Sequence, residues 1–307
     1  RTAPSAWTSG TCSDRNRRSL RAFVGQETPQ EDAEEEAQEA AEEDPLAASP
    51  TGPLGGRLLR ATAPFGVRPL GVVALFAIGL AACGGPAAQD LSGSRAVTFE
   101  SRDGVVLEGR LFGDGSTAVV LSHMRPDDQR SWFAFANRLA DQGYLVLTYD
   151  FRGYCPGGDG GCSQGDLQVS AIWQDVLGAM DFVRSEGATS VALVGASMGG
   201  TASLVAAGQQ GSDPEVVVTL SAPTSIEGLN VDATLLQRVA ANKLFIAGVG
   251  DAAGAVSAEQ LYEIAPPPKG PPEIVPADDH GTDLLTGSRG EAVQRIIETY
   301  LAQFAPA

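Results

Sequence analysis

From residue 96 onward, short uninterrupted apolar runs alternate with segments of helical period, and this alternation limits the fold more than any other feature of the chain. "TAVVLSH" (117–123), "LVLTYDF" (145–151), "SVALVG" (190–195), "EVVVTLSAP" (215–223) and "KLFIAGV" (243–249) are too short for buried helices and show no polar alternation. Runs of that kind read as strands covered on both faces. Between them, Trp132, Phe133, Phe135, Ala136 and Leu139 recur at helical spacing up to Gly143. Ile172, Val176, Met180 and Val183 do the same up to Gly187. Further helices are predicted from Met198, over "SAEQLYEIA" (257–265) and over "RGEAVQRIIETYLAQFA" (289–305), with "PPEIVPA" (271–277) as an edge strand. "AVTFES" and "VVLEGRLF" alternate around Arg102-Asp103-Gly104 and predict a hairpin ahead of these units. The expected fold is α/β: a mostly parallel, twisted sheet of about eight strands, with an N-terminal hairpin and helices on both faces.

The residues before this domain have a different character. Residues 1–66 are rich in Arg, Ser, Pro, Glu and Ala, and "ETPQEDAEEEAQEAAEED" (27–44) holds much of the acidic charge. They are expected to be disordered, or not part of the native product. The formal charge of −17 argues against nucleic acid as a partner. Residues 67–82 carry Arg68 and then an apolar run that stops short of the ~20 residues a spanning helix needs. The run ends in Leu80-Ala81-Ala82-Cys83, which resembles the bacterial lipoprotein signal. That resemblance implies a signal peptide over 67–82, lipid on Cys83, a flexible tether over 83–95 and export to the outer face of the cell membrane. Cys155 and Cys162 bracket "PGGDGG"; with no histidine nearby, a disulfide is favoured over a two-cysteine metal site.

In an open α/β sheet, chemistry gathers at the carboxyl ends of the strands. Ser197 stands there, in Gly195-Ala196-Ser197-Met198-Gly199, between a buried strand and a helix. With 37 glycines in the chain such a motif discriminates poorly alone, but its strand-to-helix context suits an exposed nucleophile. A serine nucleophile needs a base, and the whole sequence holds only His123 and His280. His280 follows the edge strand and is the expected base. Asp251, after "KLFIAGVG", is the expected acid, although an aspartate there also suits a helix cap. Asp278, Asp279 and Asp283 compete for the role.

The order Ser197…Asp251…His280, each after a strand, resembles the α/β-hydrolase family, over residues 96–307. The resemblance assigns one oxyanion donor to the N–H of Arg125 in His123-Met124-Arg125-Pro126. Met124, standing where the family has glycine, is the second choice. The other donor is the N–H of Met198. The resemblance makes His123 structural, and likewise Asp150 and Arg152, which match the family's Asp-x-Arg-Gly segment. No cofactor and no metal are called for. The expected activity is hydrolysis of small or polymeric carboxylic esters through an acyl-enzyme. Amide, thioester or peptide cleavage by the same triad, or a catalytically silent surface-binding protein of this fold, are the alternatives. Only a short segment separates "EVVVTLSAP" from "KLFIAGV", so no large lid is expected.

Overall fold

The computed structural model describes residues 91–155 and 162–307. The expected disordered segment 1–66, the signal peptide 67–82, Cys83 and most of the tether lie outside the described residues, as does the glycine run between Cys155 and Cys162. The last tether residues do not stay free of the domain. Strand β1 is Ser94–Glu100 and so begins at Ser94 rather than at residue 96. Ser94 pairs with Phe112 across the hairpin, and its N–H and hydroxyl both donate to Leu91 O, which extends the strand toward the N-terminus.

Strand β2 is Val106–Phe112 and pairs antiparallel with β1. It also pairs antiparallel with β4, Leu145–Tyr149. The other strands run parallel: β3 Thr117–Ser122, β5 Ser190–Ala196, β6 Val216–Leu220, β9 Asn242–Gly248 and β10 Glu273–Val275. The sheet has eight strands in the order β1-β2-β4-β3-β5-β6-β9-β10. Its central strands are buried along their whole length, which is why they read as continuous apolar runs.

Alternate residues of each central strand feed two cores. Val120, Leu193, Val217 and Phe245 pack with α2 (Trp173–Ser185), α3 (Met198–Ala207) and α5 (Ala252–Ile264) on one face. Val119, Leu121, Val194, Val218 and Ile246 pack with α1 (Phe133–Ala140) and α6 (Gly290–Phe304) on the other. Between β6 and β9 the chain forms a small hairpin, β7 (Ser225–Ile226) and β8 (Leu229–Asn230), and one helical turn, α4 (Ala233–Leu236). No large lid is inserted there. Among the described residues no helix is long and apolar enough to cross a membrane.

Candidate active site

Ser197 occupies the turn between β5 and α3 with φ 47° and ψ −119°, a backbone conformation a side-chain-bearing residue adopts only under strain. Its N–H donates to Leu220 O at 2.8 Å, and its C=O accepts from Gly200 and Thr201 N–H as the helix begins. The flanking glycines are needed for lack of room. A Cβ on Gly195 would strike Gly199 O, and one on Gly199 would lie 2.5 Å from both Ser122 O and His123 O. The elbow therefore rests, backbone on backbone, against the loop after β3. Gly199→Ala is expected to destabilise the fold by about 1–3 kcal/mol through overpacking and to displace Ser197. A thermal melt and a serine-directed probe would read both effects.

The loop after β3 carries His123, Met124 and Arg125. His123 is fully buried. Its Nε2 accepts from Phe151 N–H at 3.1 Å, so the neutral ring carries its proton on Nδ1 and donates to Met124 O at 2.8 Å. Burial pushes its pKa down to about 4. Both ring nitrogens are committed, so His123 shapes the loop and has no lone pair left for a serine proton. Met124 turns into the core beside α1, and Gly281 lies against its sulfur and against Ala196 Cβ. The glycine next to His280 thus docks on both the loop after β3 and the residue preceding Ser197.

The backbone N–H of Arg125 lies on this loop, and that of Met198 heads α3, where the first N–H groups of a helix have no intrahelical acceptor. The Arg125 side chain pairs with Glu227 at the tip of the β7–β8 hairpin. This bridge between the loop and the hairpin was not legible in the sequence.

His280 precedes a short 3-10 turn, Gly281–Leu285. Its Nδ1 bonds Asp251 Oδ2 at 2.8 Å. With the proton on Nδ1, the lone pair of the neutral ring is at Nε2. Asp251 follows the end of β9 and caps α5, with Oδ1 accepting from Gly254 N–H at 3.2 Å. The helix cap and the bond to His280 thus take one oxygen each. Burial raises the Asp251 pKa, but the Ser221 hydroxyl, the His280 ring and the Gly254 N–H outweigh it and hold the carboxyl below its ordinary value. Asp278 lies over Gly250 and Asp279 over Gly287. Asp283 is raised by burial, with Asp127 and Asp279 adding to the shift. The imidazole bonds none of these three. No hydrogen bond joins Ser197 Oγ to His280 among the described residues.

Asp150 accepts from Gln129 N–H at 2.9 Å and Gln129 Nε2 at 2.8 Å and is fully buried, in keeping with a structural role. Cys155 and Cys162 are joined by a disulfide. Among the described residues no cluster of His, Cys, Asp and Glu is arranged to hold a metal ion.

A family model described as serine aminopeptidase, S33, matches residues 114–248. The match runs from the approach to β3 through β9, so it contains the elbow and stops short of Asp251 and His280. Comparison with curated proteins gives no match. Among solved structures, an esterase from Pyrococcus furiosus superposes with a TM-score of 0.57 at 16% identity, over 69% of this chain and 90% of its own. A dienelactone hydrolase from Anabaena variabilis gives 0.56 at 19% identity, over 69% and 99%. A thermophilic esterase from Thermogutta terrifontis gives 0.55 at 17% identity, over 68% and 99%. These likenesses are of fold: the chain shares the α/β architecture of these structures, with the strained Ser197 turn at the carboxyl end of β5.

Proposed function

We propose that this chain is a serine hydrolase that cleaves carboxylic esters through an acyl-enzyme. The observation that carries the reading is the His280–Asp251 bond, on a loop docked against the strained Ser197 elbow. Ser197 Oγ attacks the ester carbonyl as its proton passes to His280 Nε2. Asp251 holds the ring in the tautomer that leaves Nε2 free and stabilises the imidazolium. The N–H groups of Arg125 and Met198 receive the charge that develops on the carbonyl oxygen. His280 returns the proton to the leaving alcohol, and water then releases the acid by the same steps in reverse. With only the β7–β8 hairpin and α4 inserted after β6, the site suits esters of modest size or the ends of polymers.

A fluorophosphonate probe tests the reading. The wild type should be labelled and Ser197→Ala should not. Absent labelling, or equal labelling of both, favours the silent binding protein. The matched family's description favours a second reading, amide or peptide cleavage with the same triad. Matched p-nitrophenyl esters and amino-acid p-nitroanilides separate the two, with turnover of the esters alone expected.

Export and a lipid anchor on Cys83 are part of the same proposal and rest on the Leu80-Ala81-Ala82-Cys83 pattern. Mass spectrometry of the mature protein should find Cys83 N-terminal and lipidated. A peptide running intact through residues 60–90 would overturn this.

A further inference from the structure

Strand β6 ends at Leu220, between the elbow of β5 and the Asp251 end of β9, and the next residue is Ser221. Ser221 has φ 52°, in the left-handed region that costs a non-glycine residue free energy. It is 1% exposed. Its N–H donates to Ile246 O at 2.7 Å, which locks it into the β6–β9 seam. Its Oγ is shielded from solvent and has no partner of regular hydrogen-bond geometry. The hydroxyl is also among the groups that hold the Asp251 carboxyl below its ordinary value. Glycine here would relieve the backbone and alanine would remove the buried hydroxyl; serine keeps both costs at one residue.

We propose that Ser221 is a positioning residue for the proposed triad, its strained backbone aiming the hydroxyl at the Asp251 carboxylate, which it holds in line with His280. The inference rests on the serine-hydrolase reading. Oδ2 of Asp251 accepts from His280 Nδ1 and Oδ1 caps Gly254, so two donors already fix the carboxylate. In this proposal the Ser221 O–H is a third. It restrains the carboxylate when imidazolium forms and draws it toward the ring. Asp278 lies over Gly250, the residue before Asp251. Ser221 touches neither substrate nor Ser197 in this role and acts through Asp251.

Two variants test it, Ser221→Ala and Ser221→Gly. Both should lose about tenfold in kcat with KM unchanged, the size expected for one hydrogen bond to a charged group. Without the hydroxyl the carboxylate becomes more basic and holds imidazolium more tightly. The acid limb of the kcat/KM profile should therefore move to higher pH in both variants. Ser221→Gly relieves the left-handed backbone, so its thermal midpoint should not fall below that of the wild type. A less active but equally stable glycine variant is what a purely structural role would not produce. Wild-type kcat and an unmoved acid limb in Ser221→Gly, with the wild type labelled by fluorophosphonate, would overturn the inference while leaving the triad standing. An unlabelled wild type overturns the hydrolase reading itself, and this inference with it.

Discussion

Replacing Asp251 with asparagine is expected to lower kcat by about 10⁴-fold and to leave the thermal midpoint unchanged. The two halves of that result come from the two oxygens of one side chain. Oδ1 caps α5 through Gly254 N–H, and asparagine caps a helix as well as aspartate does. Oδ2 accepts from His280 Nδ1 and so keeps Nε2 unprotonated. An amide can turn its NH₂ to that nitrogen, and the ring then carries its proton on Nε2, where it cannot accept from Ser197. Asp251→Ala should show the same kinetic loss and, in addition, about 1 kcal/mol of lost stability from the missing cap. Ester turnover beside thermal melts of both variants separates the roles. If Asp251→Asn retained most of its kcat, the acid would have to be Asp278, Asp279 or Asp283, none of which bonds the imidazole here.

That double role explains why part of this site was legible in the sequence and part was not. The strands were legible because the central ones are buried on both faces and carry no polar alternation. Ser197 and Asp251 each follow such a run and His280 follows the edge strand β10, so their places could be read from strand ends. The start of α5 could not. "AAGAVSAEQ" (252–260) has little bulk to mark an apolar face, and the helix was expected only from residue 257, whereas it begins at Ala252. The cap at Asp251 was legible as an option beside the acid role, and it is present. The β7–β8 hairpin has two-residue strands, too short for any pattern, and turns on Glu227 and Gly228, both with positive φ. Ser221 carries a signal only once its burial and its missing regular partner are known, and both are tertiary facts.

Arg152→Met is expected to destabilise the folded protein by about 3–5 kcal/mol, the cost of leaving a buried carboxylate without its partner. Sequence resemblance made Arg152 structural but could not say what it holds. Its guanidinium lies between Asp175 in the first turn of α2, with Nε at 2.9 Å from Oδ1, and Asp103 in the β1–β2 turn, with Nη1 at 2.9 Å from Oδ2. Asp175 is fully buried and Arg152 nearly so, and the Arg152 N–H also donates to Asp175 Oδ2 at 3.0 Å. Methionine keeps the length of the stem and removes the charge, so the loss reports the ionic group rather than a cavity. Its pH dependence has a definite sign. Burial raises the Asp175 pKa even with Arg152 in place, and without Arg152 it must rise further. A carboxyl raised in the folded state favours folding at low pH and loses that contribution as pH rises through its folded pKa. Asp103 runs the other way: its hydrogen bonds to Arg152 hold it down to about 2, so its contribution is present above its unfolded pKa of 3.8 and fades as pH falls toward 2. Both effects narrow the gap between variant and wild type in acid. Denaturant melts across the range should show the difference largest at neutral pH and shrinking as pH falls. A gap independent of pH would mean that Arg152 holds this corner by packing alone.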